Sequence, residues 1–291
     1  MELRIGLFLL LLLLAVAGTA GAQSVREVRD EAKARMDVSG YVDIEADGSV
    51  SRHVVNERSE YPDYVLEMVD RVAPGWRFEP LLVDGQPVPA RARMDLQLGL
   101  DRLDDGDFIL SITKSTFGDM SQSDTSELTL DMENLRKPVY PYDLLEYGIE
   151  GIVYTLIKVG RDGAVEDFQI EQVDLYGYAD EATMRHVRRV FGLSVERAVK
   201  RWRFTPPTTG DEAGDSHWFA RIPIEYQIDW NDKRRELATG EWRLYYPGPR
   251  APKPDWLDHS DSGGNEALIA GRMHQLGNER RLLTPVDGQT P

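Results

Sequence analysis

The side chains best suited to chemistry in this chain do not form a catalytic pattern. Its five histidines, His53, His186, His217, His259 and His274, are scattered, and there is no cysteine. No His-Glu-x-x-His occurs, and no spacing sets two metal ligands on one helix face. Ser and Asp are plentiful, yet there is no Gly-x-Ser-x-Gly elbow to present a nucleophile and no glycine-rich loop to cradle phosphate. Asp162-Gly163 reads as a turn rather than a catalytic acid. The chain is therefore read as a non-enzyme with no cofactor and no metal. Arg185, Arg188, Arg189, Arg197, Lys200, Arg201 and Arg203 form a basic run that would suit an acidic partner or lipid headgroups, or simply solvate a helix face. Trp76 and Trp202 each follow a helical apolar stripe, which marks them as core more than as binding platforms. Pro223 carries a different message: proline cannot donate to a ladder, so the strand around it belongs at a sheet edge.

The elements that must position these residues come in two sets. Asp47-Gly48 and Gly75-Trp76-Arg77-Phe78-Glu79-Pro80 recur as Asp162-Gly163 and Arg201-Trp202-Arg203-Phe204-Thr205-Pro206, and Ala92-Arg93-Met94 recurs as Ala220-Arg221-Ile222. The offset grows by about eleven residues between turn and tryptophan, which predicts a surface-loop insertion around Leu175 to Gly192 in the second copy. There, Val153, Thr155, Ile157 and Val159 alternate into the Asp162-Gly163 hairpin turn. A returning strand, Ala164 to Val173, alternates imperfectly, which predicts a bulge near Asp167. Val195, Ala198, Val199 and Trp202 stand at helical spacing behind Ser194, the predicted N-cap, and a last strand runs from Trp218 to Ile228. The first copy repeats this order, with strands from Met36 to Ile44 and Val50 to Val55, a helix from Pro62 to Ala73 and a strand from Ala90 to Leu100.

Both copies thus read as ββαβ, an α+β class of two tandem modules. Each is a three-stranded antiparallel sheet whose apolar face a helix must cover, because so small a sheet is unstable alone. The segment 101–134 reads as a linker in which Phe108 to Ile112 can fold back on Ala90 to Leu100 through Asp104-Asp105-Gly106-Asp107. The stretch 230–291, with Pro247, Pro249, Pro252 and Pro254, reads as a mostly disordered tail with one short helix near Glu266 to Leu276.

Fifty acidic against thirty-four basic residues give a net charge of −16, which repels polyphosphate and disfavours nucleic acid. Met1 to Ala22 has the form of a cleavable secretory signal: Arg4, an apolar run from Ile5 to Ala17, then Ala20-Gly21-Ala22. An uncleaved inner-membrane anchor is the alternative; the expected address is a periplasm.

The run Pro138-Val139-Tyr140-Pro141, Gly151, the Asp162-Gly163 turn, Trp202-Arg203-Phe204-Thr205-Pro206 and Arg221-Ile222-Pro223-Ile224 resembles the C-terminal domain of the TonB family over about Leu135 to Asp229. The first copy, about residues 30–100, resembles it more faintly. The resemblance implies a sheet edge that accepts an extended segment of an outer-membrane TonB-dependent transporter or another envelope protein, in support of transmembrane transport. Main-chain bonds worth about 0.5–1.5 kcal/mol each would supply the affinity. The implied edge residues are Arg221, Ile222, Ile224, Tyr226 and Ile228, and a homodimer is a further possible partner. Two departures separate the chain from an energy transducer. Only Gln23 to Arg35 lies between leader and first module, roughly 40 Å at about 3.1 Å per residue, and the leader has no histidine. A structural or folding-accessory envelope protein, its modules packed together with no open edge, is the alternative. The second module is expected to have the less covered edge.

Overall fold

A computed structural model of the chain describes residues 25–103, 106–120, 125–131, 135–228, 238–257, 267–277 and 279–285. The expected cleavage site, Asp104 and Asp105 of the expected hairpin turn, and the charged stretch after Ile228 lie outside them. The architecture is α+β and rich in strand. In the first half, α1 (Val25–Asp30) leads into β1 (Lys33–Ile44), β2 (Val50–Val55), α2 (Asp63–Val72), a short hairpin of β3 (Leu81–Val83) and β4 (Gln86–Val88), then β5 (Ala90–Arg102) and β6 (Phe108–Asp119). After β7 (Thr129–Leu130) the second half runs β8 (Gly151–Gly160), β9 (Val165–Leu175), α3 (Glu181–Val199), β10 (Phe204–Thr205) and β11 (His217–Tyr226), followed by β12 (Arg243–Tyr245) and β13 (His274–Gln275).

In each half the first strand is central. β1 pairs antiparallel with β2 and β5, and β8 pairs antiparallel with β9 and β11. Alternation then divides the faces. Met36, Val38 and Val42 of β1, with Ala92, Met94, Leu96 and Leu98 of β5, pack against Val65, Met68 and Val69 of α2. Val153, Ile157, Ala220, Ile222 and Tyr226 pack against Met184, Val187, Phe191, Val195 and Val199 of α3 in the same way. The register of β8 against β9 slips between Lys158 and Val159, beside Asp167, where the sequence alternation fails.

The repeated motif is a fastener between turn and helix end. Gly48 and Gly163 have φ of 83° and 74°. Their carbonyls accept the N–H groups of Phe78 and Phe204 at 2.8 and 2.9 Å. Asp47 and Asp162 each accept the N–H two residues on, at 2.9 and 3.0 Å, closing the turn as Asx residues do. Trp76 and Phe78, and Trp202 and Phe204, are buried in their respective cores.

The faces left bare by the helices meet between the halves, and that interface is polar. Arg35, buried, donates to the Tyr154 hydroxyl at 2.5 Å and the Tyr176 hydroxyl at 3.0 Å. Asp95 is fully buried and takes Ser39 Oγ at 2.8 Å, Arg93 Nε at 3.2 Å and Arg272 Nη1 at 2.7 Å. Arg221 forms a two-pronged pair with Glu171, at 2.9 and 3.1 Å.

Three expectations are corrected. The extra residues of the second half are not a loop but the first turns of α3. Asp180, not Ser194, is the N-cap, its carboxylate accepting the Thr183 N–H at 3.1 Å. Met184, Val187 and Phe191 continue the apolar stripe that Val195 and Val199 complete, so burial pays for the added turns. Of the stretch 230–291, expected to be mostly disordered, the described residues pair at several points instead. β12 joins β1, Tyr246 exchanges main-chain bonds with Leu175, and Ala251 N–H reaches Glu171 O at 2.7 Å. The prolines there lie along the outer edge of β9, where absent N–H groups cost no ladder bond. Finally, 267–276 forms no helix: it lies along β11, with β13 as its paired part.

Candidate functional site

The site is the outer edge of β11 and the groove beside it. In β11 the even-numbered residues from Trp218 to Tyr226 face the α3 core or pair inward with β8, so the main chain of Phe219, Arg221, Pro223 and Glu225 is turned outward. Pro223 falls on that outward set, at a place where a central strand would need an N–H. Edge position and proline identity thus account for each other.

The first half closes the corresponding edge. β6 pairs with β5 from Ala92 to Arg102, as the sequence expected of Phe108 to Ile112, and Phe117 packs edge-on against Trp76 and Phe78 at 5.3 and 4.9 Å. Among the described residues, the second half is covered only in part, by the stretch Ile269 to Leu276. There Gln275 lies opposite Ala220 and His274 opposite Arg221. Leu276 N–H donates to Phe219 O at 2.9 Å and Gly271 N–H to Pro223 O at 3.2 Å. Beyond Pro223 no strand among the described residues pairs with β11 on that side. A groove of about 500 Å³ runs there between Leu135 to Tyr140 on one wall and Ala270 to Met273 on the other, with Ile224 to Gln227 along its length.

The residues of the motif build this groove. Pro141 is the extended cap of a 3₁₀ turn, Tyr142–Tyr147, which ends at Gly148 with φ 60°. That turn holds Tyr140 against Phe191, and its hydroxyl donates to Ile149 O at 2.7 Å. Phe191 stacks in turn on Tyr226, ring centroids 4.4 Å apart. Burial pushes both the Tyr140 and Tyr226 phenols up to about 12, so they act as neutral donors throughout the physiological range. Gly151 permits the close approach of β9, since a Cβ there would stand 2.5 Å from Asp174 O. Trp202 closes the groove floor, its indole N–H on Arg136 O at 3.0 Å. Pro206 lies just after β10, which pairs with β7.

Of the expected edge residues, Ile222, Ile224 and Tyr226 line the groove. Arg221 is buried at the interface between the halves and its main chain is already taken by His274. Ile228 is buried, with its N–H on the Glu150 carboxylate at 2.7 Å. The expected basic run does not gather here. Arg185 and Lys200 pair with Glu181 and Glu196 one turn away, and Arg188 donates to the carbonyls of Val173, Tyr246 and Pro247. Sequence reasoning missed the covering stretch. Its one local signal is a pair of glycines, Gly271 and Gly277, with φ of 75° and 88° at either end.

Compared with known proteins, the chain matches no family model. A stretch of 94 residues, 32% of the chain, is 32% identical to Protein TonB of Pseudomonas aeruginosa and covers 22% of that protein. Over that stretch, less than a quarter of the relative's length, the chain is TonB-like.

Proposed function

We propose that this is a TonB-like cell-envelope protein whose second half binds an extended segment of an outer-membrane transporter, or of another envelope protein, by adding it as a strand to β11. The observation that carries the reading is the groove along Ile224 to Gln227, a trough beside a stretch of β11 that no strand among the described residues covers. Strand addition needs outward main-chain groups for affinity and a side-chain trough for selectivity. Glu225, half-buried and held by Arg243, turns its main chain toward the trough, and Tyr140, Trp202 and Tyr226 supply the apolar wall.

In this reading the two halves are copies of one ββαβ module, a view supported by the matching Gly48–Phe78 and Gly163–Phe204 fasteners. The first copy has closed its edge with β6 and the second has kept part of its edge. The protein is periplasmic and has no catalytic role. A photo-reactive residue placed at Glu225 in the full chain should cross-link to an envelope protein in extracts. Amide exchange should gain protection at Ile224 to Gln227 on binding; cross-links arising only from distant surface positions would remove strand addition.

The second reading, a structural envelope protein with no partner segment, is favoured by the packing of the two sheets and by the cover over Phe219 to Pro223. It predicts no cross-link at Glu225.

A further inference from the structure

Taking the strand-addition reading as its basis, we infer that the stretch Ile269 to Leu276 is a displaceable strap, an internal stand-in for the partner segment on β11. In the first half the edge is sealed by eleven residue pairs between β5 and β6, in register from Ala92 to Arg102 with one slip. The strap makes two, Ala220 with Gln275 and Arg221 with His274. It runs antiparallel to β11 as β6 runs antiparallel to β5, and its register brings Met273 beside Ile222, as β6 brings Phe117 beside Met94. The strap thus occupies, with far fewer bonds, the place where the first half holds a permanent strand.

Its hold is uneven. Arg272 is anchored on Asp95, and Gln275 reaches the Leu128 N–H with its amide oxygen at 2.6 Å. Against this, Pro223 offers the strap no N–H, and Gly271, with φ 75°, turns it off the edge. His274 is buried with Nε2 accepting the Ile269 N–H at 3.2 Å, which leaves the ring proton on Nδ1, and Nδ1 finds no partner among the described residues. A buried donor without an acceptor weakens the very element that carries it. The strap leaves the edge where the groove begins. An arriving segment can therefore pair first at Glu225 and extend toward Phe219 as the strap peels away, gaining bonds as the strap loses them.

The test uses the full chain and a fluorescent synthetic peptide with the sequence of residues 269–277. Against the wild-type chain the peptide competes with its own tethered copy, so binding should be on the order of 10- to 100-fold weaker than to M273D, whose charge expels the strap from the core side of β11. The cysteine-free chain also permits a lock: A220C with Q275C, an opposed cross-strand pair, should abolish peptide binding when oxidised and return it to the wild-type level on reduction. A natively folded M273D chain that binds no better than wild type would overturn the inference, as would equal binding by the oxidised and reduced pair. Should M273D not fold, the oxidised-against-reduced difference decides alone. A chain that passes while no envelope protein cross-links at Glu225 keeps the strap and loses the partner reading.

Discussion

Replacing Gly163 by alanine should cost far more than replacing Gly148 or Gly214, and the structure sets the scale. With φ at 74° an alanine in the left-handed region costs about 1–2 kcal/mol. The added Cβ would also fall well under the 3.0 Å limit from the Phe204 carbonyl oxygen, which is backbone and cannot swing aside. Strand β10 must then move. That forfeits the Phe204 N–H to Gly163 O bond at 2.9 Å, about 0.5–1.5 kcal/mol net, and loosens Phe204 in the core. The total is about 3 kcal/mol or more, a large fraction of a domain's stability. Two controls separate the causes. Gly148 has φ 60° but open space around its would-be Cβ, so alanine there should cost about 1–2 kcal/mol. Gly214 has neither constraint and should be neutral or slightly stabilised. Gly48 meets the Phe78 carbonyl just as Gly163 meets Phe204, so Gly48→Ala should match Gly163→Ala. Urea unfolding followed by tryptophan fluorescence measures all four. Equal losses for Gly163→Ala and Gly148→Ala would refute the fastener; a mild Gly48→Ala beside a severe Gly163→Ala would refute its equivalence in the two halves.

Trp202→Ala should destabilise the second half by about 3–5 kcal/mol, because the ring is buried and its N–H serves Arg136 O; a variant melting like the parent would mark the tryptophan as a surface platform. Glu171→Gln should destabilise the second half by removing the charge of the carboxylate that takes two prongs of buried Arg221, whereas Glu171→Leu combined with Arg221→Met should cost less, and a double variant worse than the single one in a melting comparison would contradict this. His274 should titrate near pH 4 by NMR, below the usual 6.5, because burial disfavours its charged form. Arg93 and Arg272 also oppose that charge, Asp95 favours it, and Thr116, Glu127 and Glu279 line the adjoining cavity. The folded state favours the neutral ring, so the contribution is complete above about pH 6.5 and is lost as pH falls toward 4, about 3 kcal/mol in all. Strap opening should accordingly increase in acid, and a midpoint near 6.5 would show that the ring is solvated.

Much of this protein was legible in its sequence because the signals were local. The alternation of Val153 to Val159, the Asp-Gly turns with their positive-φ glycines and the Trp-x-Phe returns depend on neighbours a few residues away, and they located β8, β9 and both hairpins. Pro223 announced an edge because a missing N–H is a property of the residue itself. The length of α3 was less legible: Met184, Val187 and Phe191 were present, but the longer spacing between turn and tryptophan than in the first half suggested a loop. What tertiary structure alone decided was who covers whom. Asp95 is buried because Arg272, far along the chain, arrives to meet it. The proline-bearing stretch 238–257 lies where it does because the outer edge of β9 offers unpaired main-chain groups to it. The strap lies on β11 because that edge was left open while β6 closed the other. Such pairings bring together groups distant in sequence, and their energy comes from main-chain bonding and shared burial, which composition and periodicity do not encode.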